Sequence, residues 1–336
     1  MDENLPSVTV LIAARPGQAE VKAVAAGQAL DYPAGKLEII VARGRQPSAQ
    51  RNAALKAARG ELIYFLDDDS VAERGNLRRT VGHFNRPEVA MVGGPNICPP
   101  GSPALEQVFA LVLASWLAFG PSRARYAVVG RARETSEKEL ILCNLLARRE
   151  VLLRLGGFNE ALYPNEENAL MDELQKSGAK LIYDPELLVY RRPRSNLRSF
   201  ARMLMTYGRG RAEQFRLHPT LGSALNFVPP AFVLYLIFTT ATLAAAPSAG
   251  KWLLIPLAFY GGAVLGQAAM LALLPPLQPG QRVGWGARIL RSAAAIPLII
   301  LTHVLYGFGF WRGLFTPLRP GARPPTPPVV LETVPS

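Results

Sequence analysis

The chain has 336 residues, 49% of them hydrophobic, and a formal net charge of +12. That length accommodates one globular domain of about 200 residues with a second element beside it. Cys98 and Cys143 are too few for a disulfide framework and lack metal-ligand spacing, which fits a reducing compartment; a nucleic-acid partner for the positive charge is excluded, because base-stacking aromatics are not interleaved with it. No Asp or Glu lies between Glu213 and Glu332, so carboxylate chemistry belongs to the first two-thirds.

Residues 1–6 carry two acids and no apolar run, unlike a cleaved signal peptide, and the first domain is expected in the cytosol. Short apolar runs then alternate with helical segments. Residues 8–13 (VTVLIA), 37–42 (LEIIVA) and 62–66 (LIYFL) have the continuous apolarity of parallel strands covered on both faces. Helices are expected over 19–30 and 50–59, then over 76–84 ahead of a fourth strand at 89–92. This alternation predicts an α/β fold with a mostly parallel sheet, in which ligands collect at the carboxyl ends of strands.

The strand at 62–66 runs straight into Asp67, Asp68, Asp69 and Ser70. Such a cluster repels itself unless a cation holds it, and Mg2+ or Mn2+ commonly takes one or two carboxylates while substrate phosphates complete the shell. Alternation along an extended strand points Asp67 and Asp69 one way and Asp68 the other, which makes Asp67 and Asp69 the candidate metal ligands. The competing reading is an acidic turn capping the next helix through Asp69 or Ser70. Further on, 108–119 is apolar but too short to span a bilayer, and reads as a core or interface-hugging helix. Gly156, Gly157 and Phe158 form a turn after a helix at 148–155, where glycine serves either close approach to a ligand or a helix C-cap.

Between Arg191 and Arg216 lie eight arginines and one glutamate. The segment reads as an interfacial helix facing membrane lipids, with Arg209 and Arg211 as candidates to touch a lipid-linked diphosphate. Apolar stretches follow at 227–246, 252–274 and 293–310 with flanks to 313, each near the ~20 residues that cross hydrocarbon. A re-entrant hairpin or two short interfacial helices could replace the third. The positive-inside rule puts the Arg-rich segment and Arg282, Arg288 and Arg291 on the cytoplasmic side. Three crossings then carry the Pro-rich tail, 319–336, expected to lack fixed structure, to the opposite side. The domain plan is a catalytic domain at 1–215, a transmembrane region at 217–318 and this tail.

Six segments, VTVLIAAR, LEIIVA, QRNAALKAARGELIYFLDDDS, VAMVGGP, CNLLARREVLLRLGGFNEAL and NEENALMDELQKSGAKLIYDPELLVYRRPR, occur in an order that makes residues 7–207 resemble the family 2 glycosyltransferases of GT-A fold. The resemblance implies a membrane-anchored enzyme of exopolysaccharide or surface-glycan synthesis. It would move a sugar from a nucleotide diphosphate donor to a lipid-linked or glycan acceptor, using Mg2+ or Mn2+. It places Ala13, Arg15, Arg51, Asn52, Asp67, Asp68 and Asp69 around the nucleotide and its metal. Around the sugar or acceptor it places Gly94, Cys143, Asn144, Gly156, Gly157 and Phe158. Its acidic pair matches Glu166 and Glu167, with Glu167 in the place of the catalytic base and Glu166 as the rival. The family usually has Asp there, and the extra methylene changes reach without changing chemistry. The implied reaction is a single displacement with inversion, the base taking the acceptor proton.

Two departures bear on the donor. The loop after LEIIVA, where the family usually carries acids for the nucleobase, reads Arg43, Gly44, Arg45, Gln46, Pro47, and the short passage to QRN leaves one sheet element missing or shortened. These features favour the alternative of a membrane scaffold or nucleotide-sugar-binding protein without turnover, whereas Asp67, Asp69 and Glu167 together oppose it. A nucleotidyltransferase would share the metal and diphosphate chemistry, but AARPG at 13–17 is a poor phosphate loop. A processive synthase is disfavoured by the missing QxxRW motif.

Overall fold

The computed structural model of the protein describes residues 4–160, 162, 166–217, 219, 221–274, 282–318 and 328–335. Its strands are β1 (Val8–Ala14), β2 (Leu37–Arg43), β3 (Leu62–Asp67), β4 (Val71–Ala72), β5 (Val89–Gly93), β6 (Asn96–Ile97), β7 (Arg133–Thr135), β8 (Asn144–Arg148), β9 (Lys180–Tyr183), β10 (Val189–Tyr190) and β11 (Val330–Val334). Its helices are α1 (Lys22–Gln28), α2 (Pro47–Ala57), α3 (Asn76–Thr80), α4 (Ala104–Leu113), α5 (Trp116–Phe119), α6 (Arg149–Arg154), α7 (Glu166–Lys176), α8 (Leu197–Leu217), α9 (Val228–Ala245), α10 (Pro247–Gly250), α11 (Leu254–Leu273) and α12 (Trp285–Phe315).

Two compact units result, the first from the described residues of Met1–Pro99, Ala124–Arg192 and Pro320–Ser336. Its main sheet has the order β11-β2-β1-β3-β8-β5-β9-β7, and a small sheet has the order β4-β10-β6. Strands β1, β2 and β3 are parallel, as are β5 and β9, in keeping with the sequence. The sheet is nonetheless mixed, since β8 runs antiparallel to both β3 and β5. The continuous apolarity of β3 is explained by its two covered faces. Leu62, Tyr64 and Leu66 pack with Ala23 of α1 and Leu77 of α3, while Ile63 and Phe65 pack with Leu55 of α2 and Met171 of α7.

The tail departs from expectation. Val330–Val334 forms β11, antiparallel to β2, and Arg43 Nε meets Glu332 Oε1 at 2.7 Å across the pair. Averaged composition hid this strand, because the prolines concentrate in 320–328 and the run VVLETV at 329–334 has none and is rich in β-branched residues. The position beside β2 is therefore filled from the far end of the chain. It follows that the tail does not lie across a bilayer from the catalytic sheet. Because β11 and β2 share that sheet, any membrane crossings between β10 and β11 would have to be even in number.

The second unit comprises Pro100–Arg123 and Pro193–Arg319. Three of its helical segments, Ala224–Ala245, Pro247–Leu273 and Trp285–Phe315, are long and apolar enough to cross a membrane. The third is one continuous helix with Pro297 inside it, not a hairpin or two short helices. The apolar run at 108–119 is broken, with segments Ala104–Leu113 and Trp116–Arg125 bent by 60°. Helix α8 lies against α12 at backbone contact distance. A Cβ added to Gly208 would come within 2.1 Å of the Tyr306 carbonyl oxygen, and one on Gly309 within 2.2 Å of that of Met205. Arg216 Nη1 donates to the Gly313 carbonyl at 3.0 Å, satisfying a group in the last turn of α12.

Candidate active site

The carboxyl ends of β1, β2 and β3 converge, with Ala13 in register with Ala42 on one side and Asp67 on the other. The chain then turns, Ser70 N donating to the Asp67 carbonyl at 3.0 Å, and the Asp68 carbonyl accepts from Ala23 N at 3.2 Å. This turn enters β4, and the next helix starts only at Asn76 behind Gly75. The helix-cap reading of Asp69 and Ser70 therefore does not hold.

Strand β10 supplies the first partner of the acids. Arg191 N donates to the Ile97 carbonyl at 3.0 Å, extending the pairing of β10 with β6. Its guanidinium reaches Asp67 Oδ2 with Nη1 at 2.9 Å and Asp69 Oδ1 with Nε at 2.5 Å. Burial alone would lower the Arg191 pKa, but the charges of Asp67 and Asp69 hold it well above the ordinary value. Two carboxylates thus face one cation.

Helix α2 supplies the second partner. Buried Arg51 sends Nη2 to Asp67 Oδ1 at 3.4 Å and Nη1 to Glu166 Oε1 at 3.0 Å. Glu166 opens α7 and is 3% exposed, and its Oε2 has no hydrogen-bond partner among the described residues. Burial, then the neighbouring Glu167 charge, push its pKa up to about 7 against the pull of Arg51. Glu167 is half-buried in the same first turn, where the helix dipole favours acids.

Asn52 braces the turn after α6. Its Nδ2 donates to the Phe158 carbonyl and to Glu160 Oε1, both at 2.9 Å, and its Oδ1 accepts from Phe158 N at 2.8 Å. Gly156 and Gly157 have φ of +78° and +80°, and Gly157 N donates to the Leu152 carbonyl at 2.9 Å, which is a helix C-cap. Gly157 also permits close approach, though to Asn52, since a Cβ there would come within 2.4 Å of Asn52 Oδ1. Phe158 packs edge-on against Phe65 at 5.5 Å.

Asn144 is fully buried. Its amide accepts from Tyr64 Oη at 2.9 Å and donates to the Pro95 and Leu187 carbonyls. A Cβ on Gly94 would come within 2.0 Å of the Leu187 carbonyl oxygen, so both residues knit β5 and β8 to the segment before β10. Cys143 is buried, and burial pushes its thiol up to about 12. Arg15 is exposed after β1, and Arg43 Nη1 holds that loop through the Gln18 carbonyl at 2.8 Å. In the second unit, Arg209 Nε lies 3.4 Å from Glu213 Oε1 and Arg211 Nη1 donates to Gln214 Oε1 at 3.1 Å.

Residues 2–206 match the family described as glycosyltransferase like family 2. The chain belongs to glycosyltransferase family 2. This family 2 glycosyltransferase is 29% identical over 282 residues to the pre-mycofactocin glycosyltransferase of Mycobacterium tuberculosis, covering 77% of this chain and 54% of that protein. It is 27% identical over 216 residues to the succinoglycan biosynthesis protein ExoA of Rhizobium meliloti, covering 64% and 58%. It thus spans little more than half the length of these curated relatives. The mannosyltransferase PcManGT from Pyrobaculum calidifontis, solved with GDP-Man and Mn2+, has a TM-score of 0.56 at 20% identity over 94% of this chain and 88% of that one. That likeness is one of fold, and the first unit is a GT-A α/β domain.

Among the described residues of this family 2 glycosyltransferase no three or more His, Cys, Asp or Glu side chains form a metal cage. Asp67 and Asp69 nevertheless suit a divalent ion as a partial shell, since they already share one cation and donor phosphates can complete the coordination. Sequence reasoning missed two members of this region. Arg191 was counted with the interfacial arginines, although it directly follows a strand end. Glu332, the first acid after Glu213, brings to Arg43 the carboxylate that the loop after β2 lacks.

Proposed function

We propose that this family 2 glycosyltransferase transfers a sugar from a nucleotide diphosphate donor to a lipid-linked or glycan acceptor, with inversion, in surface polysaccharide synthesis. The observation that carries the reading is the convergence of Asp67 and Asp69 on one cation, linked through Arg51 to the acids that open α7. The GDP-Man and Mn2+ bound to PcManGT and the role of ExoA in succinoglycan biosynthesis support it. Asp67 and Asp69 would hold Mg2+ or Mn2+, which when bound neutralises charge on the departing diphosphate. Ala13, Arg15, Arg51 and Asp68 lie on the nucleotide side, and the turn of Gly156, Gly157 and Phe158 on the sugar side.

Glu167 takes the proton from the acceptor hydroxyl as that oxygen bonds to the anomeric carbon and the bond to the diphosphate breaks. Glu166, buried against Arg51, anchors the first turn of α7 and leaves Glu167 as the base. No covalent glycosyl-enzyme is required. Arg209 and Arg211 lie on an interfacial α8 close to anionic lipid.

On this reading the protein sits at the cell membrane with its GT-A domain in the cytoplasm. An even number of crossings and the positive-inside rule are both met if α9 crosses, α11 returns, and α12 stays on the cytoplasmic side beside the Arg-rich α8. Arg282, Arg288, Arg291 and Arg312 then share one side. Purified full-length protein, incubated with a nucleotide-sugar panel, Mn2+ and bacterial lipid extract, is expected to release nucleoside diphosphate from one donor. Glu167→Gln should slow that release by about 10²–10⁴-fold while the donor still binds. Release from no donor would contradict the reading.

A further inference from the structure

We propose that Arg191 is the resident counter-ion of the metal subsite: it holds Asp67 and Asp69 together before the donor arrives, competes with the divalent ion, and passes to the donor diphosphate when the ion enters. The proposal rests on the reading of Asp67 and Asp69 as metal ligands. Its basis is the pairing of Asp67. Oδ2 faces Arg191 Nη1 at 2.9 Å and Oδ1 faces Arg51 Nη2 at 3.4 Å, so an ion on Asp67 must displace a guanidinium or sit against it. Like charges that close repel strongly where water is partly excluded. Asp69 Oδ1 is also engaged, by Arg191 Nε at 2.5 Å.

Arg191 has the means to leave. Its backbone is fixed by the hydrogen bond to the Ile97 carbonyl, so side-chain torsions alone move the guanidinium. The side chain is 25% exposed beside Asp67 and Asp69 at the carboxyl end of β3. A diphosphate offers paired oxygens that the planar guanidinium can bind bidentately, and it enters together with the ion. The consequence is positive coupling. Without nucleotide the ion must compete with Arg191, whereas with nucleotide Arg191 has another partner, and each ligand raises the affinity of the other by the same factor.

The test uses the full chain in detergent and Mn2+ alone as the probe, with free ion followed by electron paramagnetic resonance, then repeated with saturating GDP or UDP. Arg191→Gln is expected to bind Mn2+ alone about tenfold more tightly than the native protein, and the coupling between Mn2+ and nucleotide should shrink by a similar factor. Arg191→Lys, which keeps the charge but reaches fewer oxygens, should tighten Mn2+ binding by about threefold, and it decides the matter if the Gln variant does not fold. Folded variants that bind Mn2+ alone no more tightly than the native protein overturn the proposal. Asp67→Asn and Asp69→Asn separate the two levels of the argument. If they abolish Mn2+ binding while the Arg191 variants leave it unchanged, the proposal falls and the metal site stands; if native protein binds no Mn2+ even with nucleotide, both fall.

Discussion

Glu166 is the residue whose environment makes the sharpest prediction. Its carboxyl titrates near 4.5 in the unfolded chain and is pushed up to about 7 in the fold, first by burial and then by Glu167. Between those values the folded chain keeps a proton that the unfolded chain has released, so the contribution of Glu166 to stability declines as pH rises through that window. Glu166→Gln should flatten this decline, and melting temperatures of native and variant protein from pH 5 to pH 8 should diverge in favour of the variant. Parallel curves would show that Glu166 is not buried as described. The placement of Asp67 at the end of a strand, and of Glu166 and Glu167 in the first turn of a helix, was legible because both patterns are local in sequence. Arg191 was not, because nothing local tells that a β10 of two residues folds back against β6 and aims the next side chain at Asp67 and Asp69. Asn144 and Gly94 were named through the family resemblance, but only tertiary structure shows that both meet the Leu187 carbonyl, Asn144 by donating to it and Gly94 by close approach.

At the scale of elements, β11 and the α8–α12 contact are what the sequence concealed most. A strand is stabilised by its neighbour, and the neighbour of β11 lies almost 300 residues away by chain position, beyond any periodicity argument. A chain truncated after residue 327 should exchange the backbone amides of β2 with deuterated solvent faster than the full chain, because those groups lose their edge partner. Unchanged protection would mean that β11 does not cover that edge. Gly208, next to the diphosphate candidate Arg209, meets the backbone of α12. Gly208→Leu should destabilise the protein by about 1–3 kcal/mol or more, read as a lower melting temperature, since neither helix backbone can yield. An unaffected melting temperature would separate α8 from α12. The apolar spans, by contrast, were readable within a few residues, since length and apolarity are the whole of that signal.

At the scale of the molecule, the proposed topology rests on strand pairing and charge bias together and is open to a labelling test. Cys98 and Cys143 are both buried, so single introduced cysteines report cleanly. Ser248→Cys, between α9 and α11, is expected to react with a membrane-impermeant maleimide on intact cells, and Gly284→Cys, ahead of α12, only after permeabilisation. Labelling of Gly284→Cys from outside would instead make α12 a crossing helix. The position of the bound donor decides the proposed function. The most direct measurement is an experimental structure of the Glu167→Gln variant with its nucleotide sugar and Mn2+. The account predicts the diphosphate and ion against Asp67 and Asp69, Arg191 turned onto a phosphate oxygen, and the anomeric carbon facing residue 167. A diphosphate bound away from both aspartates, or an anomeric carbon that the start of α7 cannot reach, would contradict it.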